Sequence, residues 1–402
     1  MTCEVSPHTK LAQALLEAVR AQPWHLARDR RRGGQPFTHA PSLDLAVALF
    51  APERPPLWAN VLFSREHPTG VVAAIGADAG PVRNVAYLVD PVDARGTSIA
   101  WQPGSDWQAI NFLRLTGQGP VRFVAPYPAS LIKLMVAVGV AQLVDAGRAN
   151  WEEVWPHGGQ SFSLAQWSEP MITVSSNEAT DALVALLHAR GLIQRGAHAE
   201  LSNQLHDLFN AQGLTTLRLA NTKPSGGWRN GDGAGVGHLQ MTAWDSLRLL
   251  WRLQDAAAPW LPAGAPPMLS SASRAQLMGW LAAQKLNEVL SSSSITHLPG
   301  WQPGIGGRFA HKTGTTESYA ADAGRVELAA GGYFLIALLS TLGSCSAPHD
   351  DAATDWRVPQ LGAAIERVMN APRPAGAGRP PRGSRKVAEP FFLETAPPWA
   401  GS

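Results

Sequence analysis

The segment 125–144, APYPASLIKLMVAVGVAQLV, decides how the rest of the chain is read. After Pro128 it has the pattern of a helix that is apolar almost all the way round, and a helix without a polar face is a buried one. One charge interrupts it: Lys133, a single helical turn after Ser130. An unpaired buried ammonium is costly, so this lysine needs a reason to be there. The chain holds only six lysines, at 10, 133, 223, 285, 312 and 386, against 27 arginines. A lysine kept where arginine is the default points to a compact ammonium whose proton affinity burial can lower.

The wider composition is that of a globular chain. Of 402 residues, 45% are hydrophobic and 16% charged, which leaves room for a large core. A net charge of +2, without a compact Lys/Arg stripe among aromatics, argues against nucleic acid as a partner. Cys3 and Cys345 stand far apart, so neither a metal site nor a disulfide framework is read from them. No cofactor is expected. The N-terminal residues lack a basic region followed by an apolar core. The arginines at 28–32 precede a short apolar run, but Asp44 breaks it, and the segment reads as a loop entering a strand. No run reaches the roughly 18 uncharged apolar residues of a membrane span. The expectation is therefore a monomer without a membrane span, cytoplasmic, or periplasmic if the true start or an unconventional signal lies elsewhere.

Along the chain, residues 9–22 read as an amphipathic helix, with Leu11, Leu15, Leu16 and Val19 on one face. Strand-like runs follow at 43–50, 57–63, 70–76 and 84–90, separated by turn residues. The helix after Ser130 opens a helical stretch with segments at 164–190, 200–213, 242–254 and 273–284. Strands return at 308–316, 323–330 and 333–341 as an antiparallel meander, and the last is continuously apolar, as in a sheet covered on both faces. A helix at 360–371 precedes a Pro/Gly/Arg-rich segment, 372–402, expected to be a disordered tail. Strands, helices and strands again give an α+β fold, an antiparallel sheet flanked by helices with an all-helical subdomain at about 126–300. Residues 84–371 form its main domain. Residues 1–83 are an extension of open role, either a separate module or extra strands on the sheet.

Three short elements carry chemistry. Ser130 and Lys133, at i and i+3, share a helix face, so an amine with lowered proton affinity can take the serine's proton. Ser130 also sits where helix N–H groups favour developing negative charge. A Ser-x-x-Lys match alone is expected about once in a chain of this length, and a capping serine beside a snorkelling lysine is the bland alternative. Ser175-Ser176-Asn177, alone, is a helix cap. Lys312-Thr313-Gly314-Thr315 opens the meander, where a lysine and two hydroxyls fit a substrate carboxylate and Gly314 lets substrate backbone approach. Its alternative is an edge strand with a protective lysine. GGRFAHKTG (306–314) is not a phosphate loop, because His311 stands where a glycine must precede the lysine.

Taken together, YPASLIKL, MITVSSNEATDAL and AHKTGTTESYAADAGRVEL resemble the S-x-x-K, S-D-N and K-T-G segments of the class A β-lactamase and penicillin-binding serine hydrolase family, over roughly residues 84–371. The resemblance implies a β-lactamase/transpeptidase-like fold and an acyl-enzyme on Ser130, cleaving amide (β-lactam-type) or ester bonds. Lys133 would be the general base and Ser175 the proton relay to the leaving nitrogen. Asn177 would orient Lys133 and the substrate amide. Lys312, Thr313 and Thr315 would hold the carboxylate of a small-molecule or peptide-like substrate and keep Ser175 electrostatically primed. Gly314 would let substrate backbone approach, and the N–H groups of Ser130 and Thr315 would form an oxyanion hole. A D-Ala-D-Ala-type peptidase or transpeptidase, and a non-catalytic binding relative, are the alternatives.

Two departures stand out. Ser176 replaces the family's Asp. If Arg218-Leu219 marks the family's loop turn, Lys223 occupies the position of the deacylating glutamate, and no Glu occurs from 201 to 287. Lys223 is a candidate substitute base if neutral, or a plain loop lysine. Trp301, in a longer stretch before Lys312, is a candidate pocket wall.

Overall fold

Residues 43–50 alternate large and small side chains: Leu43, Leu45, Val47 and Leu49 against Ala46 and Ala48. In the computed structural model, which describes residues 5–91, 99–100, 105–197, 199–227 and 239–371, this segment is strand β1 (Leu43–Phe50). It joins β2 (Leu57–Phe63), β3 (Val71–Val72), β4 (Phe309–Thr315), β5 (Ala320–Glu327) and β6 (Tyr333–Ser340) in one antiparallel sheet, ordered β4-β5-β6-β1-β2-β3. Eight helices occur among the described residues: α1 (Pro7–Arg20), α2 (Lys133–Asp145), α3 (Leu164–Thr173), α4 (Asn177–Ala189), α5 (Gln204–Ala211), α6 (Ala243–Arg252), α7 (Ser271–Ala282) and α8 (Arg357–Asn370).

The alternation of sizes sorts the layers. Leu43, Val47, Phe334, Ile336 and Leu338 face a core completed by α1 and α8, with Leu15 and Val19 from one and Leu361 and Ile365 from the other. The small residues Ala46, Ala48, Ala321, Ala323 and Ala337 face the opposite core, which contains Trp244 and Trp251 of α6. Alanines there leave the volume that two indoles need, because interiors pack to near-crystalline density. With both faces covered, β6 is continuously apolar, as expected from the sequence.

The division expected after residue 83 does not separate this sheet. β1 pairs with β6 along its whole length and β2 pairs with β1, so residues 43–63 lie inside the same sheet as residues 309–340. The strand expected at 70–76 shrinks to Val71–Val72. Strand Val85–Val89 pairs instead in parallel with Val121–Ala125, which delivers the chain to the 125–144 segment. The described residues up to Asn370 pack as one unit; the tail read at 372–402 lies outside the described residues.

The helical region also differs in detail. It holds a small hairpin, Val154–His157 with Gln160–Ser163, turned by Gly158 and Gly159 at φ 59° and 81°. A second pairs Ile193–Arg195 with Glu200–Asn203, so 200–203 is strand and only Gln204–Ala211 is helix. The expected helix at 164–190 breaks at 174–176 into α3 and α4. Among the described residues no helix is long and apolar enough to cross a membrane.

One buried carboxyl ties the sheet to the helical layer. Asp44 Oδ2 accepts from Ala243 N at the start of α6 (2.9 Å) and Oδ1 accepts from Asn60 Nδ2 (2.8 Å). Burial raises its pKa to about 6. Removing an acceptor from two buried donors costs about 1–3 kcal/mol. We expect Asp44→Ala to lower the urea-unfolding free energy by that amount, and an unchanged midpoint and slope would contradict this anchoring role.

Candidate functional site

The apolar segment 125–144 is not one continuous helix. A 3₁₀ turn, Ala129–Ile132, carries Ser130, and α2 begins at Lys133. Ala129, just before Ser130, sits in left-handed backbone at φ 49°, a conformation that costs a non-glycine residue on the order of 1–3 kcal/mol. Ser130 is half-buried, while the helix behind it is buried from Lys133 through Ala141. The apolar pattern thus puts α2 in the middle of the helical layer and carries the Lys133 ammonium inside with it.

The ammonium finds its partners at the break between α3 and α4. Lys133 Nζ donates to Ser175 O (2.6 Å), Ser175 Oγ (3.0 Å) and Asn177 Oδ1 (2.8 Å). Ser175 presents both oxygens because it too is left-handed, at φ 58°. Ser176, the departure noted in the sequence, caps α4 by accepting from Ala179 N at 3.1 Å, and its backbone N–H donates to Pro170 O at 3.0 Å. The helix-cap reading therefore holds for Ser176, while Ser175 and Asn177 turn to the lysine.

Lys312 approaches the same hydroxyl from the sheet. It lies on β4, an edge strand, yet is fully buried rather than a protective surface lysine. Its Nζ donates to Ser175 Oγ (3.0 Å) and to Thr313 O (2.7 Å). Two amines thus spend both lone pairs of one hydroxyl, which leaves the Ser175 O–H free to point elsewhere. Burial lowers the pKa of Lys133 to about 8, with Asp181 opposing the shift. Burial, then the neighbouring Lys133, pushes Lys312 well below its ordinary range, and Asp322 and Glu288 oppose that shift.

Gly314 explains how β4 reaches Ser130. A Cβ there would stand 2.6 Å from Pro128 O, 2.7 Å from Leu131 N and 2.8 Å from Ser130 N, so the strand backbone lies directly against the serine's turn. Tyr319, at the end of the β4–β5 connection, donates to Asp90 Oδ2 (2.7 Å) and packs edge-on against Tyr127, which precedes the serine turn. Thr313 is buried and Thr315 half-buried. The hydroxyl and amide groups of Ser130, Ser175, Asn177 and Thr315 line the accessible side, and the two lysines form the floor.

Some sequence expectations land elsewhere. Lys133 was expected to pair with Ser130 and Asn177; among the described residues its three acceptors are on Ser175 and Asn177 alone. Lys223 is half-buried in a tight loop closed by Lys223 N donating to Gly227 O (2.8 Å). Trp301 packs in a satellite core with Ile295, Leu298 and Trp356 and donates to Ser292 O (2.9 Å), so the structure gives it a packing role in place of the expected pocket wall.

Two residues escaped sequence reasoning. His311, read only as an obstacle to a phosphate loop, is buried with Nδ1 2.6 Å from Asp322 Oδ1 and Nε2 2.9 Å from Asn287 Oδ1, directly before Lys312. Asp181 lies one turn after Asn177 on α4. Among the described residues no cluster of three metal-ligating side chains occurs.

The Beta-lactamase2 family model, a beta-lactamase enzyme family, matches residues 125–365, well over half of the chain. Comparison with curated proteins finds none that matches. Among solved structures, the chain is similar to a PBP-A mutant in acyl-enzyme complex with penicillin G, at 18% identity, covering 91% of this chain and 99% of that one with a TM-score of 0.48. It is similar to a class A beta-lactamase from Bacteroides cellulosilyticus at 13% identity, covering 91% and 98%, with a TM-score of 0.47. PBP-A itself gives 18% identity, 90% and 96% coverage, and a TM-score of 0.46. With the family model spanning the segment from the Ser130 turn through the K-T-G strand into α8, the chain belongs to the beta-lactamase enzyme family.

Proposed function

We propose that the chain is a serine hydrolase that opens amide or ester bonds, β-lactams among them, through an acyl-enzyme on Ser130. The observation that carries the reading is the convergence of two buried lysines on one hydroxyl, Ser175 Oγ, beside the Ser130 turn.

The chemistry follows from proton capacity. As an ammonium, Lys133 has three hydrogens for its three acceptors; as a neutral amine it has two hydrogens and a lone pair. Neutral Lys133 is then a base for the Ser130 hydroxyl as Oγ attacks the substrate carbonyl carbon. The proton passes by Lys133 and Ser175 to the leaving nitrogen, since Ser175 holds its O–H away from both lysines. The backbone N–H groups of Ser130 and Thr315 stabilise the oxyanion, in a place where β4 and the serine turn already touch. Asn177 orients Lys133 and receives the substrate amide. Lys312 is too deeply placed to be a surface anchor; it primes Ser175, while Thr313, Gly314 and Thr315 line the strand against which a substrate carboxylate would lie.

Incubation with penicillin G or a chromogenic cephalosporin, followed by intact-protein mass spectrometry, tests this reading. The expected result is a covalent adduct on Ser130 and none in a folded Ser130→Ala variant. No adduct and no turnover with either β-lactam or an activated ester would sink it.

The pH dependence has a definite sign. Below about 8 Lys133 is an ammonium and takes no proton, so the acylation rate is expected to rise with pH through about 8. Stopped-flow acylation that is flat, or falls, across that interval on a stable protein would contradict Lys133 as the base. Gly314→Ala pushes the strand from the serine turn, and a misplacement on the scale of 1 Å costs about 100-fold in rate. The acylation rate of the folded variant should fall by that order, with a lowered thermal midpoint because the added Cβ meets backbone atoms. An acylation rate equal to that of the unmodified chain would contradict the role of the contact.

A further inference from the structure

The loop where the resemblance led us to expect a glutamate contains none, but a carboxylate stands under it. Asp181 lies at i+4 from Asn177 on α4, so the two side chains share a face of that helix. Asn177 is in hydrogen-bond contact with Lys133 Nζ. The loop that follows Arg218-Leu219 closes onto Asp181: a Cβ at Gly226 would stand 2.5 Å from Asp181 O, and one at Gly227 2.9 Å from Asp181 Oδ1. Both glycines have positive φ, 100° and 69°, so the loop reaches this contact only with residues that lack a side chain.

Asp181 is half-buried, and its surroundings are those of a working carboxylate rather than a structural ion pair. Four groups act on it electrostatically: Lys133 from α2, Lys223 from the loop, His157 from the Val154–Ser163 hairpin and, with like sign, Glu178 from its own helix. Burial raises its proton affinity, and the cations oppose that rise. It is also the charge that offsets the burial of Lys133. It thus acts on the base of the site from beneath the loop that carries Gly226 and Gly227.

We propose that Asp181 is the carboxylate that activates water for release of the acyl group, a role that rests on the acyl-enzyme reading of Ser130. A water gives its proton to an Asp181 oxygen as its own oxygen bonds to the acyl carbon. Collapse of the tetrahedral species breaks the C–Oγ bond, and the proton travels from Asp181 through Lys133 to Ser130 Oγ. The sum is ester plus water to acid plus serine, with Asp181 and Lys133 returned to their starting states. Lys223, the residue at the glutamate's place in the loop, contributes positive charge over Asp181 rather than acting as the base.

The test uses the full chain and three variants, Asp181→Asn, Asp181→Glu and Lys223→Ala, with penicillin G and an activated ester as probes. Adduct formation and adduct loss are timed by intact-protein mass spectrometry from pH 5 to 9, and folding is checked by thermal melting. The expected result is that Asp181→Asn acylates but loses its adduct about 100-fold more slowly, with the acidic limb of the release profile gone. Asp181→Glu should recover much of the release rate, and Lys223→Ala should keep the adduct loss within a few-fold. An adduct that forms and leaves equally fast, with the same pH profile, in unmodified chain and folded Asp181→Asn overturns the role of Asp181 and leaves Ser130 acylation standing. Slow release in Asp181→Asn without recovery in a folded Asp181→Glu, or with the acidic limb kept, also overturns it. Absence of both adduct and turnover in the unmodified chain, with no adduct in folded Asp181→Asn, overturns both.

Discussion

Two amines lie 3.0 Å from a single hydroxyl, Ser175 Oγ, and the rest of the structure is arranged to hold them there. Like charges that share an acceptor inside a protein repel, and burial strips each of water. Such a pair persists only when surrounding elements fix both stems and when at least one amine gives up its proton readily. Lys133 is fixed by a helix buried on every side, Lys312 by a strand locked in register with β5. The pair is electrostatically poor as structure, and the proposed proton transfer draws on that.

The backbone carries a matching cost. Ala129, just before Ser130, and Ser175 itself both occupy left-handed backbone that favours glycine. The strain is offset by neighbours: Gly314 against the Ser130 turn, the Ser176 cap on α4, and the Lys133 bond to Ser175 O. Alanine on one face of the central strands brings α6 close, and Asp44 anchors its first turn to the sheet. These contacts are remote from the serines, yet they make the sheet and the helical layer one rigid frame for residues that come from both.

Much of this was legible in the sequence because the signals were local. An all-apolar helix with one lysine, a Ser-Ser-Asn turn and Lys-Thr-Gly on a strand are each weak alone and gain meaning from their joint resemblance to a known family. The α+β class follows from the order of strands, helices and strands. The strands at 43–50 and 57–63 were visible as strands, but their membership in the main sheet was not, because pairing β1 with β6 joins residues almost 300 apart. The role of Gly314 against Pro128 and Leu131 is likewise a property of two distant segments in contact. Asp181 was hidden for a different reason: on α4 it is one acidic residue near another, Glu178, and only the loop folded over it distinguishes the two. His311 looked like a departure from a wrong motif, and burial with Asp322 is what gives it meaning. The hairpins within the helical region were missed because short polar strands such as 160–163 have no apolar alternation.

The claim on which the account turns is that burial beside Ser175 makes Lys133 a base near neutral pH. The chain's six lysines are few enough for selective 13Cε labelling and an NMR titration with assignment by a Lys133→Arg variant. The account predicts that the Lys133 resonance titrates with a midpoint near 8. A Lys133 midpoint at the ordinary lysine value of 10.5 would contradict it.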